Sequence, residues 1–152
     1  MKKNYFAAVL MLAASYLHAA DPIKIQALEK YLMKNESIGI AYGSHTSRFE
    51  GPHLMEEISL SIKVLNGRKT LMIKQELWNE GDSNKDLVTC EYKADKSGTI
   101  DGILDSAHEG TTSVDLKSKT TREKYQGICD ALIDKMEREI FTLNPKKCQP
   151  TN

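Results

Sequence analysis

The chain has 152 residues, of which 40% are hydrophobic and 28% charged, with 21 basic and 21 acidic side chains and a formal net charge of zero. That balance excludes an electrostatic case for nucleic acid or for an anionic membrane surface. The length suits one domain with one core.

Lys2 and Lys3 precede an uncharged apolar run from Phe6 to Leu17, and small residues follow at Ala19 and Ala20. A positive start, a short apolar run and small residues, in that order, mark an export signal. The run is well short of the ~20 residues that span a hydrocarbon core. Cleavage after Ala19 places Leu17 at the −3 position, and cleavage after Ala20 places His18 there; leucine suits a small uncharged pocket better, so residues 1–19 read as the signal peptide. The alternative is an uncleaved N-terminal anchor. Loss of Lys2 and Lys3 leaves 19 basic against 21 acidic side chains, and no later segment is apolar enough to cross a bilayer. The expected location is therefore the periplasm or the outside of the cell.

From Ile23 to Glu36, Ile25, Leu28 and Leu32, with Tyr31, recur at helical spacing, and Asp21-Pro22 suits an N-cap and first helical position. The segment Ile38 to Pro52 holds three glycines and no clean periodicity. It reads as a long loop, with a short strand at Ile38–Tyr42, and long loops are often functional. Next, Ile58, Leu60, Ile62 and Val64 alternate with polar residues, Asn66-Gly67 follows, and Leu71, Ile73 and Leu77 alternate again. Asn-Gly between two alternating runs predicts a hairpin, because both central residues of a type I′ turn need positive φ. Leu65 opposite Arg68 puts Ile62 against Leu71 and Leu60 against Ile73. Leu87 to Lys93 reads as a third strand, Thr99 to Leu104 as a fourth weakened by Gly102, and Ser113–Leu116 as a short fifth. Thr120 and Glu123 have capping-box spacing, and Tyr125, Ile128, Cys129, Leu132, Ile133, Met136 and Ile140 form one helical face ending near Leu143.

The predicted fold is α+β: a two-layer domain over 20–143, with an antiparallel meander of four or five strands flanked by an N-terminal and a C-terminal helix. Residues 144–152 form a polar tail. Of the three cysteines, Cys90 shares a strand face with Val88 and Tyr92, and Cys129 lies on the last helix's apolar stripe, so both point at one core. A Cys90–Cys129 disulfide is the natural pairing; Cys148 bonded to either is the alternative. Left free, Cys148 offers a route to a homodimer.

No catalytic constellation or cofactor motif emerges. His45, Glu50 and His53 lie close in the chain and are candidate metal ligands, but their spacing fits no known ligand motif. Ser44-His45 lacks the G-x-S-x-G elbow of a hydrolase nucleophile. The acids Glu56, Glu57, Asp101 and Asp105 form pairs of the kind any highly charged chain offers. Trp78 shares strand parity with Met72, Lys74 and Glu76 on the face expected to meet water. A binding surface is expected to combine Trp78, Met72 and Lys74 with Tyr42, His45, Arg48 and Phe49 of the 39–52 segment. These readings favour an exported, non-enzymatic binding protein whose partner is a protein or cell-envelope ligand, inhibitor- or immunity-like. A small exported hydrolase or metal-dependent enzyme is the alternative, and a structural component dimerising through Cys148 a third.

Overall fold

The computed structural model describes residues 20–33 and 43–143. Residues 1–19, expected to form an export signal, together with Tyr42, the expected strand at 38–42, Cys148 and the expected C-terminal tail, lie outside these residues. Among the described residues the fold is α+β. Helix α1 (Pro22–Met33) precedes six strands: β1 (Gly43–Glu50), β2 (Leu54–Leu65), β3 (Arg68–Asn79), β4 (Asp86–Lys93), β5 (Ser106–Glu109) and β6 (Thr112–Ser113). Helix α2 (Lys119–Arg138) follows and ends in a π-helical turn, Glu139–Leu143. The strands form one antiparallel sheet in the order β1-β2-β3-β4-β5-β6, a simple meander.

The β2–β3 hairpin has the predicted register. Leu65 faces Arg68, Ile62 faces Leu71 and Leu60 faces Ile73, around Asn66 and Gly67 at φ 52° and 74°. Ile58, Leu60, Ile62, Leu71, Ile73, Cys90 and Tyr92 are fully buried on one face of the sheet. Against that face the helices bury Ile25, Leu28 and Leu32 of α1 and Cys129, Ile133 and Met136 of α2. Asp21 caps α1 as expected, its Oδ1 accepting from the Ile23 amide at 2.9 Å. The cap of α2 lies two residues earlier than the sequence suggests, with Ser118 Oγ accepting from the Thr121 amide at 3.5 Å.

Three expectations are corrected. Residues 43–50 are not loop but β1, paired with β2 along its length. Hydroxyl and charged residues on both of its faces hid the strand, since period-2 alternation is visible only when one face is apolar. Thr99–Leu104 does bury alternate residues, Ile100, Gly102 and Leu104, but it is not a strand. Gly102 sits at φ 83°, and the backbone there bonds to a helix side chain instead of a neighbouring strand. The true neighbour of β4 is β5, four residues with one small apolar side chain (Ala107, opposite Cys90) and hence almost no sequence signal. The last strand, β6, is two residues long and begins before the expected 113–116.

Cys90 on β4 and Cys129 on α2 are joined by a disulfide, with Cα atoms 6.1 Å apart. The bond closes a separation of 39 residues between the sheet's centre and the helix covering it. Restricting the unfolded chain over a loop of that size stabilises a fold by about 3–4 kcal/mol. Reducing this bond should lower the unfolding free energy by about that amount, measured by urea titration with and without reductant.

Candidate functional site

The register of the sheet sorts every strand residue onto one of two faces. On the face away from the helices lie Thr46 and Arg48 of β1, Met55, Glu57, Ser59 and Ser61 of β2, and Met72, Lys74, Glu76 and Trp78 of β3. Thr89 and Glu91 of β4 and Ser106 of β5 continue it. No described helix lies over this face, and its side chains are mostly half-buried by one another.

Trp78 is the centre of its most organised part. Lys85 Nζ lies 4.4 Å from the indole centroid and Arg48 Cζ lies 6.0 Å from it, so two cations flank one electron-rich ring. Each cation is held by a carboxylate: Arg48 donates to Glu57 at 3.0 Å, and Lys85 to Glu76 at 2.9 Å. Lys74 bonds the other oxygen of Glu76 at 2.7 Å. Hydrogen bonds from Lys74 and Lys85 hold the Glu76 carboxyl below its ordinary range. Met55 lies directly opposite Trp78 across the β2–β3 pair. Beside this cluster, Lys85, Asp86, Leu87, Val88, Glu109 and Gly110 line an open depression of about 370 Å3. Lys85 is common to both.

The expected binding residues are therefore divided. Met72, Lys74, Trp78 and Arg48 share the open face. Met72 stands six residues from Trp78 on the same strand, about 20 Å away at strand rise, so Met55 and not Met72 is the methionine beside the indole. His45 and Phe49 are on the opposite face, beneath the helices. Tyr31 of α1 and His45 Nδ1 lie 3.1 Å apart, and His45 Nε2 and Ser47 Oγ 3.2 Å. The Tyr31 ring meets the imidazole edge-on at 5.5 Å and Phe141 at 5.9 Å. Burial pushes the His45 pKa down, opposed by the Glu139 charge. Phe49 lies 4.2 Å beneath the ammonium of Lys135, which is paired with Glu56. These residues brace β1 against α1 and α2.

The same parity separates the candidate metal ligands. His45 and Glu50 are five residues apart on one strand and so point to opposite faces, while His53 belongs to the β1–β2 turn. Among the described residues no group of three or more His, Cys, Asp or Glu side chains is placed to hold a metal ion.

Sequence reasoning missed Met55, Glu57 and Lys85. For the first two the signal was present. Continuing the hairpin register outward from Leu65–Arg68 pairs Glu57 with Glu76 and Met55 with Trp78. Lys85 reaches Trp78 from the β3–β4 connection, which no periodicity reports.

A second polar cluster is buried under α2. Gln126 Oε1 accepts from the Leu104 amide at 2.8 Å, and its Nε2 donates to the Gly102 carbonyl at 3.0 Å and to Asp130 Oδ1 at 2.7 Å. Tyr92 Oη donates to the same carboxylate oxygen at 3.1 Å. Burial pushes the Asp130 pKa up to about 6, against the two donated hydrogen bonds. Burial also raises the Tyr92 phenol, reinforced by the charge of Asp130. Its hydrogen bonds fasten the 99–105 segment to α2 and β4.

No protein-family model matches the chain, and no curated protein or solved structure is significantly similar to it.

Because the Asp130 pKa is raised in the folded state, its ionised form is disfavoured there. The unfolded carboxyl deprotonates near pH 4, so this group removes stability as pH rises from about 4 to 6, and the loss is complete above that. Asp130→Asn keeps an acceptor for Tyr92 and Gln126 without the charge. The variant should be more stable than wild type at pH 7.5, on the order of 1–2 kcal/mol after allowance for partial exposure. That difference should be clearly smaller at pH 4.5, close to the unfolded carboxyl's own pKa, as read by urea unfolding at the two pH values.

Proposed function

We propose that the chain is an exported, non-enzymatic binding protein that engages a protein or cell-envelope ligand through the uncovered sheet face around Trp78. The reading is carried by one observation: a large aromatic side chain held half-exposed between Arg48 and Lys85, on a sheet face with no described helix over it. Tryptophan and arginine are the residues most enriched where protein interfaces concentrate their binding energy. The ion pairs Arg48–Glu57 and Lys85–Glu76 fix the ring's neighbours before any ligand arrives, which lowers the entropy lost on binding. Export is supported by the N-terminal sequence pattern and by a core disulfide, the kind of bond that persists in oxidising compartments. In the two-layer arrangement both described helices lie on the other side of the sheet, which leaves this face available to a ligand. Among the described residues no helix is long and apolar enough to cross a membrane.

Trp78 is the sole tryptophan of the chain, which makes it its own reporter. Envelope fractions that contain the ligand should shift or quench its emission, and Trp78→Ala bait should lose the partner that wild-type bait recovers. Equal recovery of every partner by both baits, with unchanged emission, removes the proposed face.

A further inference from the structure

We propose that export processing hydrolyses the Ala19–Ala20 peptide bond, and that the amino group so released on Ala20 is a structural ligand of the mature fold, received by the carbonyl of Gly102. The proposal rests on the export reading above. Water is the co-reactant and a signal peptidase the agent: Ala19 leaves as a carboxylate, and Ala20 gains the amine.

Ala20 is built into the fold. It is 3% exposed and belongs to the core cluster, and its nitrogen donates to the Gly102 oxygen at 2.9 Å. That oxygen also accepts from Gln126 Nε2, so Ala20 is tied through one carbonyl to the network that reaches Asp130 and Tyr92. The fit is steric as well as polar. A Cβ built on Gly102 would strike the Ala20 carbonyl oxygen and stand 3.1 and 3.2 Å from the Ala20 carbonyl carbon and nitrogen. Gly102 at φ 83° thus serves two purposes, a turn that side chains rarely adopt and a seat for residue 20.

Cleavage one bond later would discard this seat's occupant. It would also place the new positive charge on Asp21, the residue whose side chain caps α1 at Ile23. A cation there faces the positive end of the helix dipole, which is unfavourable. Cleavage after Ala19 moves the charge one residue away and gives it an oxygen acceptor, a stronger bond than the neutral amide makes.

The test has two arms. The full precursor is exported in a bacterial host, and the periplasmic protein is analysed by intact mass and N-terminal sequencing. The expected product begins at Ala20. A product beginning at Asp21, or one that retains residues 1–19, overturns the latch and leaves export standing; a chain found only in the cytoplasm overturns both. In the second arm, oxidised chains beginning at Ala20 and at Asp21 are each compared with their Gly102→Ala variants. Removal of Ala20 should lower Tm by about 3–6 °C. The Gly102→Ala loss should be larger in the chain that starts at Ala20, where the collision exists, than in the one that starts at Asp21, where only backbone strain remains. Equal losses in the two backgrounds, or no effect of deleting Ala20, overturn the proposal.

Discussion

The turn at Asn66-Gly67 decides which side of the sheet every residue from Leu54 to Asn79 meets. Two residues at positive φ close the hairpin so that Leu65 opposes Arg68, and the pairing then runs without interruption to Leu54 and Asn79. A slip of one residue would carry the fully buried Ile58, Leu60 and Ile62 of one strand to the solvent side. At about 1.5–3 kcal/mol for each large apolar side chain exposed, no plausible gain on the other face would compensate. The neighbouring strands inherit this choice. β1 and β4 pair outward from the hairpin, so their parity follows from it, and Cys90 reaches the core because Ile73 opposes it.

With the apolar set assigned to one face, the helices have one place to go. α1 and α2 bury their stripes against it, and the disulfide ties the second helix to the strand at the middle of the sheet. The other face, with no described helix over it, satisfies its polar groups among its own strands. It does so with cross-strand pairs, Thr46 with Ser59 at 3.1 Å, Arg48 with Glu57, and Ser106 with Glu91 at 2.8 Å. Among the described residues, no buried side-chain nitrogen or oxygen lacks a partner. Trp78 is the exception in kind on this face, an aromatic ring among ions, and the cations on either side of it have roles in both the ion-pair lattice and the ring's environment.

The parts of this arrangement legible in the sequence were those governed by local rules. The hairpin and the stripe of α1 each follow from a turn type or a period that a single segment displays, and the Cys90–Cys129 pairing, favoured there over the Cys148 alternatives, from the parities of two segments. β1 was illegible because His45, Ser47 and Phe49 face the helices as a polar and aromatic set, with Tyr31 and Lys135 as partners far away in the chain. Without that context the run from Ser44 to Glu50 has no apolar side to count. β5 was illegible for a different reason: its strand character comes from pairing with β4, and four residues carry too little pattern to show it. The site was half legible for the same reasons. Trp78 stood out by parity, Met55 followed from the register, and Lys85 needed the three-dimensional path of the β3–β4 connection.

The 99–105 segment shows how a period can be right and its interpretation wrong. Ile100, Gly102 and Leu104 are buried in alternation, as in a strand, yet at Gly102 and Leu104 the hydrogen bonds a neighbouring strand would supply come from Gln126 and Ala20. A glutamine side chain carries an acceptor and a donor in the spacing of a peptide group, so one residue of α2 can stand in for a strand partner. The substitution ties the segment to two distant pieces of chain, helix α2 and Ala20. Gln126 also hands a hydrogen bond on to Asp130, whose charge is disfavoured by burial. The 99–105 segment takes its interior hydrogen bonds from α2 and Ala20, and meets β4 at its end, where the Asp105 amide donates to the Glu91 carbonyl at 2.9 Å.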